Sequence, residues 1–125
     1  MESNLQDEAR RKVEVLMPIM NEMSEGELRA EVGGLAMGER ALDPETDASL
    51  SAMSSAADNI LRRVRGIVCD PENRKSIGDT LTIANVSSIV ALLAAVLNMG
   101  ALPIGLIALA VLILRMGLNQ YCRNY

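Results

Sequence analysis

The chain has no histidine, no phenylalanine and no tryptophan, and holds two tyrosines and two cysteines in 125 residues. Without histidine, the base that usually activates a serine or cysteine nucleophile is missing, which argues against that chemistry. Two cysteines cannot build a disulfide-dense scaffold, and Cys69 and Cys122 have no zinc-ligand spacing. They could approach each other, carry an acyl chain, or stay as buried thiols, and the last is the plainest expectation. Gly33-Gly34 is not followed by Lys-Ser/Thr, so no phosphate loop is present. The acids Glu22, Glu25, Glu27 and Glu31 lack the alternation of a calcium loop and read as a solvated face. No cofactor, metal or small-molecule substrate is therefore expected, and the chain reads as non-enzymatic.

Charge is also scarce in one half. Residues 1–65 carry 8 bases against 13 acids, whereas residues 66–125 carry 4 bases against 3 acids. An acidic front half with no aromatic-studded basic face argues against nucleic acid as a partner. The opening MESNLQDEARRK is polar and charged, unlike a cleavable signal peptide, and places the N-terminal part in the cytoplasm as an expectation.

What is present is helical periodicity. Leu5, Ala9, Val13, Leu16, Met20 and Met23 form one stripe on a 3.6-residue period, with Pro18 predicting a kink or break near Met17. Ser24-Glu25-Gly26-Glu27 has the form of a capping box, opening a second helix with Leu28, Val32 and Leu35 on one face. Gly33, Gly34 and Gly38 weaken that helix, and Gly34 and Gly38 have small-xxx-small spacing, for which fraying is the simpler reading. After a turn at Asp43-Pro44, Leu50, Met53, Ala57, Ile60, Val64 and Ile67 recur at heptad spacing and form a candidate interaction stripe. Residues 1–68 thus read as an acidic bundle of about three helices, 69–79 as a linker, and 80–125 as a hydrophobic helical hairpin, giving an all-α fold.

The hairpin dominates the functional reading. Leu81–Leu97 is 17 residues without a charge, and Ala101–Leu114 is 14, extending to Leu118 if Arg115 is tolerated. At 1.5 Å per residue the runs span roughly 25 Å and roughly 21–27 Å, marginal for a bilayer core of roughly 30 Å. Asn98, Gly100 and Pro103 mark helix stop, turn and helix start. The polar residues Thr82, Asn85, Ser87 and Ser88 gather on no single face. Arg74 and Lys75 precede the hairpin, Arg115, Tyr121 and Arg123 follow its core, and the turn carries no charge, which is the positive-inside pattern. Ser87, Ser88, Ala91, Ala94, Ala95, Gly100, Gly105 and Ala108 could let two spanning helices pack closely.

These observations favour a membrane protein with transmembrane helices at 81–97 and 101–118 and both termini cytoplasmic. Its bundle would bind a partner or itself, and its hairpin would anchor, oligomerise in or permeabilise the lipid bilayer. The alternative is a soluble, cytoplasmic all-helical adaptor with the hairpin buried in its own core or in a larger complex.

Overall fold

The computed structural model describes residues 2–37, 48–98 and 102–123. Seven helices follow one another, and no strand occurs among the described residues: α1 (Glu2–Asn21), α2 (Glu25–Met37), α3 (Ala48–Val68), α4 (Pro71–Arg74), α5 (Ile83–Val96), α6 (Ile104–Met116) and α7 (Leu118–Tyr121). The turn at Asp43-Pro44, Gly38 and Gly100 lie outside the described residues.

The first two elements form for the reasons their residues suggest. Ala9, Val13 and Met20 of the α1 stripe are buried, and Leu5, Leu16 and Met23 pack partly buried against the core. Pro18 does not end α1, which continues to Asn21. The ring removes the donor that the Glu14 carbonyl would take, and both residues lie on the exposed side of the helix. The capping box forms: the Glu27 N–H donates to Ser24 Oγ at 3.1 Å, and the Ser24 N–H donates to Glu27 Oε1 at 3.0 Å. That bond holds the Glu27 carboxyl below its usual range. Leu28 and Val32 are then fully buried.

Residues 69–79 fold as a cap followed by a short helix. Asp70 caps α4 by accepting from the Glu72 N–H at 2.9 Å, with Pro71 at the first helical position. Asn73 Nδ2 donates back to the Ile67 carbonyl at 2.8 Å, satisfying a group that the end of α3 leaves open. Gly78 and the Asn85 side chain approach closely: a Cβ at 78 would lie 2.6 Å from Asn85 Nδ2, so that side chain would have to move.

α6 is the centre of the fold. Its residues Gly105 to Leu114 are all buried, and α6 is in contact with α1, α2, α5 and α7. A helix apolar all round must be covered on every side, and here the apolar faces of the neighbouring helices do the covering. α5 is two-sided instead: Val86, Ile89, Val90, Leu93 and Ala94 face inward, while Ala84, Ala95, Val96 and Leu97 face out.

The membrane reading is therefore overturned. Among the described residues no helix is long and apolar enough to cross a membrane. α5 has 14 residues and α6 has 13, so they span roughly 21 Å and roughly 20 Å, short of a core of roughly 30 Å. The apolar runs are longer than the helices because their ends serve as caps and turns. Thr82 is the N-cap of α5, accepting from the Asn85 N–H at 3.1 Å. Asn98 ends it in the left-handed region at φ 54°, as a helix-stopping Asn does. Pro103 stands at the N-cap of α6. Neither helix supports the expected transmembrane span, lipid partner or membrane location.

A covalent bond closes the bundle. Cys69, just after α3, and Cys122, just after α7, form a disulfide with Cα atoms 5.5 Å apart. The expectation of buried thiols is overturned: both cysteines are buried, but they are bonded to each other and neither is a free thiol. Sequence alone could not pair them, because their juxtaposition depends on α7 folding back over α3.

Two stability measurements follow. The disulfide closes a loop with a sequence separation of 53, for which chain-entropy reasoning gives about 4 kcal/mol. Cys69→Ser with Cys122→Ser should lower urea-unfolding stability by about that amount, and dithiothreitol should reproduce the loss in the native chain. A Cβ on Gly34 would meet nothing within 4 Å, so no neighbouring backbone requires glycine there. Gly34→Ala should raise stability by about 0.5–1 kcal/mol in the same assay.

Candidate functional site

The stripe that packs α1 on the core leaves two of its large apolar residues on the far side. Val15 is 70% exposed and Ile19 is 59% exposed, one helical turn apart. The start of α6 lies beside them. Lys12 Nζ donates to the Leu102 carbonyl at 3.1 Å, and 50%-exposed Ile104 follows. Further along, the Arg115 guanidinium donates to the Met20 and Met23 carbonyls, each at 2.7 Å, and to the Asn21 carbonyl at 3.2 Å. Lys12 and Arg115 thus clamp α1 and α6 side by side with their chains running the same way.

Between these elements lies a shallow cleft of about 370 Å³, lined by Arg11, Lys12, Val15, Leu16, Leu102 and Ile104. Its floor is aliphatic, and the stems of Arg11 and Lys12 form one wall. The Lys12 ammonium is already engaged by a carbonyl. Arg11 makes no ion pair among the described residues, although Arg10 beside it pairs with Glu14 at 3.2 Å. Such a surface offers shape, apolar area and one cation, and no group placed to move a proton or attack a bond. Among the described residues no cluster of His, Cys, Asp and Glu could hold a metal ion.

The opposite end of the bundle holds a buried polar cluster. Tyr121 is 3% exposed, and its hydroxyl donates to the Leu61 carbonyl. The Arg65 guanidinium lies 5.1 Å from the Tyr121 ring centroid, a cation–π distance, while Arg65 Nε is buried without a hydrogen-bond partner. Burial pushes the Tyr121 phenol up to about 12, against the opposing pull of the Arg65 charge. Gly117 redirects the chain from α6 into α7 at φ 91°, a left-handed conformation suited to glycine.

The residues singled out from sequence are distributed differently from expectation. Ser87 and Ser88 donate to the Ile83 and Ala84 carbonyls of their own helix, at 2.6 and 3.0 Å, so neither bridges helices as an intramembrane serine would. Ala91, Ala94, Gly105 and Ala108 are buried, and Ala95 is exposed. Ser88, Ala91 and Ala95 line a second cleft of about 260 Å³ beside Leu5 and Gln6.

The expected topology signals have internal roles. Arg74 donates to Asn119 Oδ1 at 2.5 Å, Lys75 pairs with Glu72 at 3.5 Å on the surface, and Arg123 is exposed. Arg115 reaches carbonyls of α1 where headgroups were expected, and Tyr121 is core. Of the α3 stripe, Ala57 and Val64 are buried, and Ile60 and Ile67 pack partly buried against the core. Leu50 and Met53 belong to α3, but their side chains lie outside the described residues.

Val15 and Ile19 were missed because attention to the buried stripe passes over apolar residues that the stripe excludes. That exclusion was the available signal, since an apolar residue opposite a helix's core face needs another reason to be apolar. Comparison with family models, with curated proteins and with solved structures finds no match. Function therefore rests on this geometry.

The Tyr121 cluster makes a pH-dependent prediction. Its phenol titrates near 10 when unfolded and about 12 when folded. The unfolded chain therefore holds fewer protons between those values, and stability falls as pH rises. The Tyr121 contribution should be complete below pH 10 and lost progressively towards about 12. Tyr121→Phe should flatten that part of the stability–pH curve and cost about 1 kcal/mol at neutral pH for the lost hydrogen bond, both measured by denaturant unfolding.

Proposed function

We propose that this chain is a non-enzymatic helical interaction module: an adaptor whose hydrophobic hairpin is its own core and whose α1–α6 edge receives a protein. The observation that carries the reading is that exposed Val15 and Ile104 line one cleft, with exposed Ile19 one helical turn beyond Val15. Single exposed apolar side chains are ordinary, but a contiguous apolar strip with a polar rim marks a contact surface. Burial of the hairpin in the chain's own helices supports the adaptor alternative and leaves the exposed apolar residues of the α1 face to explain. The non-enzymatic part is supported by the missing histidine and by a cleft whose one hydrogen-bonded cation already serves the backbone.

A protein surface of this kind binds through a few desolvated aliphatic anchors. Residue-specific photo-crosslinking in the cells that make the chain provides the test. A photoreactive side chain at position 15 should give a protein adduct whose yield falls when Ile104→Asp is added. The same probe at exposed Gln120 should give none. Equal adducts at both positions, or an adduct at 15 indifferent to Ile104→Asp, would overturn the reading.

A further inference from the structure

The outer face of α1 has a charge order as well as an apolar centre. At 100° per residue, Arg11, Val15, Pro18 and Glu22 fall within a narrow arc opposite the buried Ala9–Val13–Met20 face, with Ile19 at its edge. All five are exposed. Glu22 follows the end of α1, and its N–H donates to the Ile19 carbonyl at 3.2 Å, which keeps it on the helical path. The face therefore runs from cation through apolar centre to anion. Neither Arg11 nor Glu22 makes an ion pair among the described residues. The carboxylate also sits at the negative end of the helix dipole, where the Arg115 guanidinium on the Met20, Asn21 and Met23 carbonyls supplies positive charge nearby.

A surface ordered in this way is complementary to itself when reversed. Resting on the reading of this edge as a protein-binding surface, we infer that its occupant is a second copy of the chain, with the two α1 helices antiparallel about a two-fold axis beside residues 16 and 17. Arg11 of each copy then faces Glu22 of the other, and Val15 meets Pro18 and Ile19. Ile104, 50% exposed, widens the apolar centre on one side. Each contact occurs twice, as an isologous interface requires. A parallel arrangement would set Arg11 against Arg11 and Glu22 against Glu22, so charge selects the antiparallel one. Asp7 and Glu8 lie just outside this arc, one on each side, N-terminal to Arg11. Glu14 lies towards the flank, where it is held by Arg10.

The decisive experiment is a charge exchange read by sedimentation equilibrium of the intact, disulfide-bonded chain. The native chain should show a reversible monomer–dimer equilibrium that weakens with added salt. Arg11→Glu alone and Glu22→Arg alone should each weaken it by roughly tenfold, because two attractions per dimer become repulsions. An equimolar mixture of the two variants should form a heterodimer of native strength, since every reversed charge then meets its opposite. Circular dichroism should be unchanged for both variants, whose substituted side chains are exposed.

A mixture no stronger than its components would overturn the antiparallel register. If Val15→Asp dissociated the dimer in that case, the protein-binding surface would survive without this pairing. A native chain that stays monomeric at all concentrations would overturn self-occupancy, and position-15 crosslinking would then judge the surface by itself. A dimer unaffected by Val15→Asp would overturn both the occupant and the surface.

Discussion

Ten consecutive buried side chains in α6 can exist in a small protein only when other elements cover them on every side. The placement of those elements follows from that requirement. α1 and α2 supply their apolar faces, α5 supplies the inward half of a two-sided helix, and α7 closes the end. α6 contributes no surface at its middle and no polar side chain between Gly105 and Leu114. It acts as the shared floor against which the amphipathic helices become stable, since helices of 13 or 14 residues are marginal in isolation.

The directional interactions gather where that burial ends. Arg115 stands directly after the buried run of α6, and its guanidinium takes up three carbonyls at the end of α1. α1 has no basic residue in its own last turn, so a cation from another helix supplies what the dipole favours there. At the far edge, Tyr121, Arg65 and the Cys69–Cys122 bond fasten a four-residue helix that could not hold itself. The disulfide constrains the unfolded chain most strongly, while Tyr121 and Leu118 supply buried apolar surface. The two kinds of fastening are complementary, one acting on the unfolded ensemble and the other on the folded packing.

With the hairpin consumed by the core, functional surface must come from the covering helices. α1 is the clearest case: one face serves the core, and the opposite face keeps Val15 and Ile19 in water. Lys12 and Arg115 fix the position of α1 on α6, so the start of α6 becomes part of the same exposed edge. A rigid helix carrying aliphatic side chains, with a cation at one end and an anion at the other, is suited to docking and offers no reactive group.

Local features were legible from the sequence because local physics decides them. The buried stripe of α1, the Ser24–Glu27 capping box, the extent of α3 to Val68 and the stop at Asn98 each depend on neighbours within one or two turns. The all-helical class followed from the same periodicities. What an apolar segment is buried against is not a local property. A run such as Leu106–Leu114 has the same composition in lipid or beneath three helices, and helix length separates the cases only after caps and turns have claimed the ends of the run. Arg115 likewise reads as a headgroup anchor until α1 is seen to end beside it, and Cys69 and Cys122 read as thiols until α7 folds back over α3. Residue spacing determined which helices form and which faces are apolar. Tertiary packing alone decided which apolar faces meet each other and which remain in water, because that choice depends on contacts between residues far apart in the chain.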